Sequence, residues 1–345
     1  MVRKIKNNHK KKINPLYKVQ TKTDILSDIF FENLNKSFYK NKINNFKKYL
    51  KKFNHIKHWS IISDYCEDDI NKCNNVYSFV LYPICENPTI LLKKIKEKIP
   101  VEIKNIKGNH IINPITIDFF KNNDAFVFNF IFEQNFFKEI YYDQVLEREQ
   151  IIRNINIIEK NWSDEHKKIF LPHFKNFSEF LNKKNPNLII CKKVYFISVM
   201  LGFLLFQLKI STDIIESISW FPDRDKTTSF NNGFIYSLSF LFYDYYMKKI
   251  KHSPLIFYVT NNPNNEKPFY DEFIKIPDYF CGTLASLDLN IFSDNSIQKK
   301  TLLPNNIKPK FLQFINEVIK NNDNIVNFIV KPNGCAILDI IEQFF

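Results

Sequence analysis

The sequence predicts an α/β domain, a mixed sheet with flanking helices. Three observations point there. Short β-rich runs alternate with stretches of helical periodicity, the layered pattern of helices over a sheet. No repeat period is visible, which disfavours solenoids. The 345 residues are 45% hydrophobic, with 36 Phe, 16 Tyr and only five Gly, enough apolar matter for a large core and too little glycine for a collagen-like chain. An α+β arrangement is the other class this order allows.

Taken in order, residues 1–22 are a basic arm without apolar period. From Thr23, Ile25, Ile29, Phe30 and Leu34 recur at helical spacing. A second helix is expected over Asn41–Phe53, with Ile43, Phe46, Tyr49, Leu50 and Phe53 on one face and Lys47, Lys48, Lys51 and Lys52 on the other. The period then changes. His58–Tyr65 and Val76–Pro83 read as a hairpin joined by a long polar loop. Pro88–Lys98 reads as a helix, Val101–Ile106 and Ala125–Glu133 as strands, the latter with Phe126, Phe128, Phe130 and Phe132 on one face.

Helices are expected over Phe136–Asn161, Phe174–Asn182 and Cys191–Ile210. A strand follows at Ile214–Phe221, a helix at Gly233–Ile250, a strand at Leu255–Thr260 and a helix at Asp271–Asp288. The tail reads as a helix over 310–320, a strand at Val326–Val330 and a short helix. The expected organisation is a basic leader (1–57), a core (58–300) with a helical insertion at about 136–210, and a C-terminal helix/strand appendage (301–345).

The net charge of +13 is confined to one end. Residues 1–57 carry 16 basic and three acidic side chains; the rest of the chain carries 33 of each. Lys, Asn, Ile, Phe and Tyr have AT-rich codons, and a low-GC genome explains their abundance but not the removal of acids from one end. The arm, with Lys10, Lys11 and Lys12, and the lysine-faced helix fit contact with phosphate backbones, which mobile ammonium groups make without reading sequence. An acidic protein partner, a solvated tail and a membrane-surface helix are the other readings of this segment.

Six cysteines (66, 73, 85, 191, 281, 335) form no CxxC pair, which argues against a structural zinc site and a disulfide framework and for reduced thiols in the cytoplasm. The N-terminus lacks the apolar run of a secretory signal. The most apolar stretch, Val194–Leu208, is shorter than the ~20 residues a membrane span needs, so a buried core helix and no membrane association are expected.

Phosphate-binding, dinucleotide, GxSxG and HExxH motifs are absent. The chemistry-bearing residues are acids beside apolar segments: Asp64 at the end of the first strand, Asp223 and Asp225 after the strand ending at Phe221, and Asp278 at the start of an apolar helix. Acids are rarely buried unless paired or metal-bound. Carboxylates from the ends of adjacent strands suit Mg²⁺ or Mn²⁺, and a pair of such ions suits phosphodiester cleavage. Each acid also has an ordinary role open to it: Asp64 could begin a turn, Asp223 and Asp225 could cap a helix, and Asp278 could be an acid at a helix N-terminus. Arg224 and Lys226 could touch a phosphate or pair with their acidic neighbours.

An acid ending the first strand of a hairpin, a second after a middle strand, and a third on a late helix followed by Cys281-Gly282 resembles the ribonuclease H-like superfamily, in an uncharacterised Asp-rich branch. The resemblance covers roughly residues 58–290. It implies that Asp64, Asp223 or Asp225, and Asp278 match the acidic metal ligands, and that the activity is metal-dependent cleavage of nucleic acid. Tyr65 stands where the pattern has a second acid. The alternative is a non-catalytic nucleic-acid-binding or protein-complex component on the same fold.

Overall fold

A computed structural model describes residues 26–140, 163–251, 256–259, 269–288, 298–302, 307–331 and 334–341, with scattered helical positions between 148 and 160. Lys10, Lys11 and Lys12 lie outside the described residues.

The centre is an eight-stranded mixed sheet. β1 (His58–Cys66), β2 (Asn74–Pro83) and β3 (Phe126–Glu133) form an antiparallel meander, with Asp64 opposite Ser78 and Ser78 opposite Asn129. β4 (Ser217–Pro222) lies parallel to β1 on its other side, and β5 (Ile256–Val259) parallel to β4. Beyond β3 come β7 (Ile325–Lys331), parallel to it, then β8 (Gly334–Ile341) and β6 (Gln298–Leu302). The full order is β5-β4-β1-β2-β3-β7-β8-β6.

The two faces have separate cores. Over the first lie α1 (Leu26–Asn41), α2 (Ile43–Lys52), α5 (Phe136–Glu139), α6 (Asp164–Leu181), α7 (Leu188–Ser211) and α8 (Phe230–Lys249). They cover the alternate residues Phe126, Phe128, Phe130 and Phe132, all buried as the period-two pattern requires. Over the second lie α3 (Pro88–Lys98), α4 (Pro114–Asn122), α9 (Asp271–Ala285) and α10 (Pro309–Phe314), covering Ile62, Val80, Val127, Ile131 and Ile329. α3 and α4 begin alike: the side chains of Asn87 and Asn113 accept the N–H two residues on, and a proline follows at the first turn, where its missing N–H costs nothing.

Several expectations change. Val101–Ile106 is not a strand: Ile103–Asn105 is a 3₁₀ turn, because Lys310 Nζ occupies the carbonyls of Ile103 and Ile106 and Asp278 takes the Ile103 N–H. α5 ends at Ile140, whose backbone is extended, so no single helix runs from Phe136 to Asn161; residues 141–147 lie outside the described residues. The predicted short C-terminal helix is strand β8. The segment expected as an appendage is part of the sheet, since β7 pairs with β3. The helix over 310–320 is a short α10 followed by a π turn, Ile315–Ile319.

α7 is 24 residues long and, by length and composition alone, apolar enough to cross a membrane. Its most apolar window is 83% buried inside the protein, which is the environment of a core helix.

Candidate functional site

Of the polar side chains buried on the second face of the sheet, four form one row. Asp64, Ser78, Asn129 and Asn327 sit opposite one another on β1, β2, β3 and β7, all buried. Ser78 Oγ donates to Asn129 Oδ1 at 2.6 Å and Asn129 Nδ2 donates to Asn327 Oδ1 at 2.9 Å. Buried polar groups persist where they find such partners. Asp64 is the charged end of the row, 7% exposed, where β1 meets β4. β1 is the strand at which the pairing switches from antiparallel to parallel, and ligands of open α/β sheets gather outside strand ends at such switch points.

Two further elements bring acids to Asp64. The chain leaving β4 is held to β1 by the Asp223 N–H, which donates to the Ser63 carbonyl at 2.7 Å. α9 is held to β1 by Cys281, whose Sγ donates to the Asp64 carbonyl at 2.9 Å. Asp278 precedes Cys281 by three residues, so both share one helix face. It is mid-helix, after Pro277, and not at the helix start as the sequence suggested; α9 already begins at Asp271. Its Oδ2 accepts the Ile103 N–H at 3.1 Å, bringing the 3₁₀ turn to the site.

The electrostatics follow from this convergence. Burial lifts the Asp64 carboxyl well above the usual carboxylate range, and the charges of Asp278 and Asp223 lift it further; the Tyr65 N–H and Lys104 oppose them. Burial also raises Asp278, to about 6, against the pull of Lys104, with Glu102 and Asp223 adding to the rise.

Asp223 and Asp225 part company here. Asp225 Oδ1 accepts the N–H groups of Thr227 and Thr228 at 2.9 and 2.7 Å and the Thr228 hydroxyl at 3.0 Å, so its carboxylate is used in closing the turn. Burial raises it and the Thr228 hydrogen bonds oppose that. Of the two, it is Asp223 that acts on both Asp64 and Asp278.

A second cluster lies on the first face, at the end of β1. Lys193, on α7 and 1% exposed, is 2.6 Å from Asp68 and 3.4 Å from Glu67. Glu67 also accepts from Thr227 Oγ1 at 2.5 Å and Tyr77 Oη at 2.9 Å, and Lys226 pairs with Asp68 at 3.1 Å. Burial raises the Glu67 carboxyl against Lys193. Glu67 and Asp68 lie in the polar loop expected between the first two strands, and Lys193 immediately precedes the apolar run Val194–Leu208. A lysine inside a continuous apolar helix was the available signal, because such a charge is buried only when paired. Lys226 proves to be an ion-pair partner. The Arg224 N–H donates to Asp223 Oδ1 at 2.8 Å.

Lys47, Lys48, Lys51 and Lys52 are exposed on α2, Lys52 paired with Asp124 at 2.8 Å. The buried residues of α2 belong to the first-face core, whereas Asp64 and α9 belong to the second. The cationic helix and the acids are thus on opposite sides of the sheet.

Carboxylates are the donors that hard divalent cations take, and three mutually repelling acids present the charge deficit a cation relieves. The donor chemistry therefore fits a metal. The spacing is open: among the described residues, no three His, Cys, Asp or Glu side chains lie close enough together to hold a metal ion. Compared with known proteins, the chain matches no family model, no curated protein and no solved structure.

Proposed function

We propose that this chain is a metal-dependent nuclease or phosphodiesterase on a ribonuclease H-like core, acting on nucleic acid. The observation that carries the reading is the coincidence of sheet order and acid position. Three antiparallel strands followed by two parallel ones beside the first is the order expected of a ribonuclease H-like sheet, and it runs here as β5-β4-β1-β2-β3. Asp64 on β1, Asp223 after β4 and Asp278 on the helix after β5 occupy the three stations the resemblance implies, and their charges act on one another. In this reading Asp64, Asp223 and Asp278 hold Mg²⁺ or Mn²⁺, which when bound supplies charge stabilisation and an activated water. The Cys281–Asp64 and Asp223–Ser63 hydrogen bonds keep the acids in register.

The open spacing of the carboxylates and the commitment of Asp225 to its turn favour a second reading, a non-catalytic nucleic-acid-binding or complex-forming protein on the same fold. One experiment separates them: incubation of end-labelled RNA and DNA with the wild type and Asp64→Asn, each with Mg²⁺, Mn²⁺ or EDTA. The nuclease reading expects metal-dependent cleavage that Asp64→Asn reduces to the EDTA background. Cleavage that is unchanged by the substitution, or that persists in EDTA, would overturn it. Binding without cleavage supports the second reading.

A further inference from the structure

Four lysines from three separate segments crowd the side of α9 that carries Asp278. Lys72, in the loop between β1 and β2, donates to Ser286 Oγ at 2.6 Å and to the Gly282 carbonyl at 3.3 Å. Lys310, the second residue of α10, is buried and donates to the carbonyls of Ile103 and Ile106 at 2.8 and 2.6 Å. Both ammonium groups lie over one ring, that of Phe311, at 5.1 and 5.0 Å. Lys104 follows Ile103, whose N–H is bound to Asp278, and is itself 3.0 Å from Glu102. Lys308 is exposed two residues before Lys310.

The acceptors that hold Lys72 and Lys310 in these bonds are neutral, so they fix the ammonium groups without cancelling their charge. Burial lowers the Lys310 ammonium, and the charges of Lys308 and Lys72 lower it further, as crowded cations should. At Lys104 burial is outweighed by the Glu102 hydrogen bond and the charges of Asp278 and Asp64.

We propose that Lys72, Lys104, Lys308 and Lys310 form a phosphate-binding rim beside Asp64, Asp223 and Asp278, which seats the sugar–phosphate backbone of nucleic acid against them. This rests on the nucleic-acid reading above. Carboxylates repel a polyanion, so a backbone brought to them needs fixed positive charge alongside. Ammonium groups supply it as point charges that hold phosphates and do not read bases. The lysines of α2 lie over the opposite face of the sheet and cannot serve this place.

The test is binding without chemistry. Fluorescence anisotropy of labelled single-stranded RNA, single-stranded DNA and duplex DNA is followed over a salt series in EDTA. The full-length wild type is compared with Lys104→Glu/Lys308→Glu and with Lys47→Glu/Lys48→Glu. All four sites are exposed, and both variants change the net charge equally. The rim predicts that the first variant weakens binding by about 10-fold or more and flattens the duplex salt slope by about two, and that the second changes both less. No salt-dependent binding by the wild type, an unchanged rim variant, or equal losses in the two variants would each overturn it. EDTA removes metal chemistry, so failed cleavage leaves this result standing. Intact cleavage with an unchanged rim variant sinks the rim alone.

Discussion

Cys281 Sγ donates to the main-chain carbonyl of Asp64 at 2.9 Å, deep between α9 and β1. The same sulfur lies 3.4 Å from the Val76 carbonyl, so one small side chain spans two strands of the meander. A larger residue there would lift α9 from the sheet and take Asp278 away from Asp64. The closeness of the two acids thus follows from a packing choice on a neutral residue, and the fold holds it although the charges oppose it.

The burial of Asp278, with Glu102 and Asp223 near it, should be measurable as a dependence of stability on pH. The Asp278 carboxyl is raised from 3.8 to about 6 in the folded protein. The folded state therefore binds its proton more tightly than the unfolded state. This contribution to stability is fully present below the unfolded value of 3.8 and is lost as pH rises through about 6. A shift of this size corresponds to about 3 kcal/mol. Asp278→Asn can still accept the Ile103 N–H, so it should stabilise the protein at pH 7 by up to that amount and give no advantage below pH 4. Urea unfolding of both proteins at pH 4 and pH 7 measures this. An Asp278→Asn protein less stable than wild type at pH 7 would contradict the raised carboxyl.

The six thiols should differ in reactivity. Burial raises the Cys281 thiol well above its ordinary value, with the Asp64 charge adding to it, while Cys73 and Cys85 are exposed. The thiolate is the reactive form, and a buried neutral thiol is inert. Brief iodoacetamide treatment of the native protein at pH 8, read by peptide mass spectrometry, should label Cys73 and Cys85 and leave Cys191 and Cys281 unmodified. Labelling of Cys281 at the rate of Cys73 would show that α9 is not seated on β1.

What was legible in the sequence was whatever has a period. Phe126, Phe128, Phe130 and Phe132 alternate, and the strand and its buried face follow directly. Asp64 and Asp223 were legible as acids at the ends of apolar strands. Register was not: the row from Asp64 to Asn327 joins residues 263 positions apart, which strand pairing alone brings level. Asp278 read as an acid at a helix N-terminus because it follows Pro277 and proline favours the first turn, but α9 runs through both residues. Val101–Ile106 has the β-branched character of a strand, yet the chain there is shaped by Lys310 and Asp278, both far along the sequence. Lys193 looked like the flank of an apolar helix because its partners, Glu67 and Asp68, come from another element.

The Lys193 pairing predicts a strong non-additivity. Removing one partner of a buried ion pair leaves the other charge unpaired, at a cost of roughly 3–5 kcal/mol, whereas replacing both can be near neutral. Lys193→Met should destabilise by that order. Glu67→Gln, which keeps one acceptor for the Thr227 and Tyr77 hydroxyls and turns an amide N–H toward the other, should cost less and should recover part of the loss when combined with Lys193→Met. Urea unfolding of the four proteins gives the coupling energy directly. Additive costs would mean that Lys193 acts through Asp68 alone.

Gly282 offers a test in which the sign of an effect changes. A Cβ at this helical position would meet Ile103 Cγ2 at 2.8 Å, too close for carbon atoms to share without movement. Alanine in place of a mid-helix glycine gains up to about 1 kcal/mol of helix propensity, while overpacking costs typically 1–3 kcal/mol, so steric conflict should win and Gly282→Ala should destabilise. Ile103→Ala removes the offending methyl group. In that background the conflict is gone and the propensity gain remains, so adding Gly282→Ala should stabilise by up to about 1 kcal/mol. Thermal unfolding of the two singles and the double decides it. If Gly282→Ala destabilises equally in both backgrounds, the Ile103 side chain does not rest on α9 at Gly282, and only the Ile103 N–H bond to Asp278 is left to hold the 3₁₀ turn carrying Lys104 to that helix.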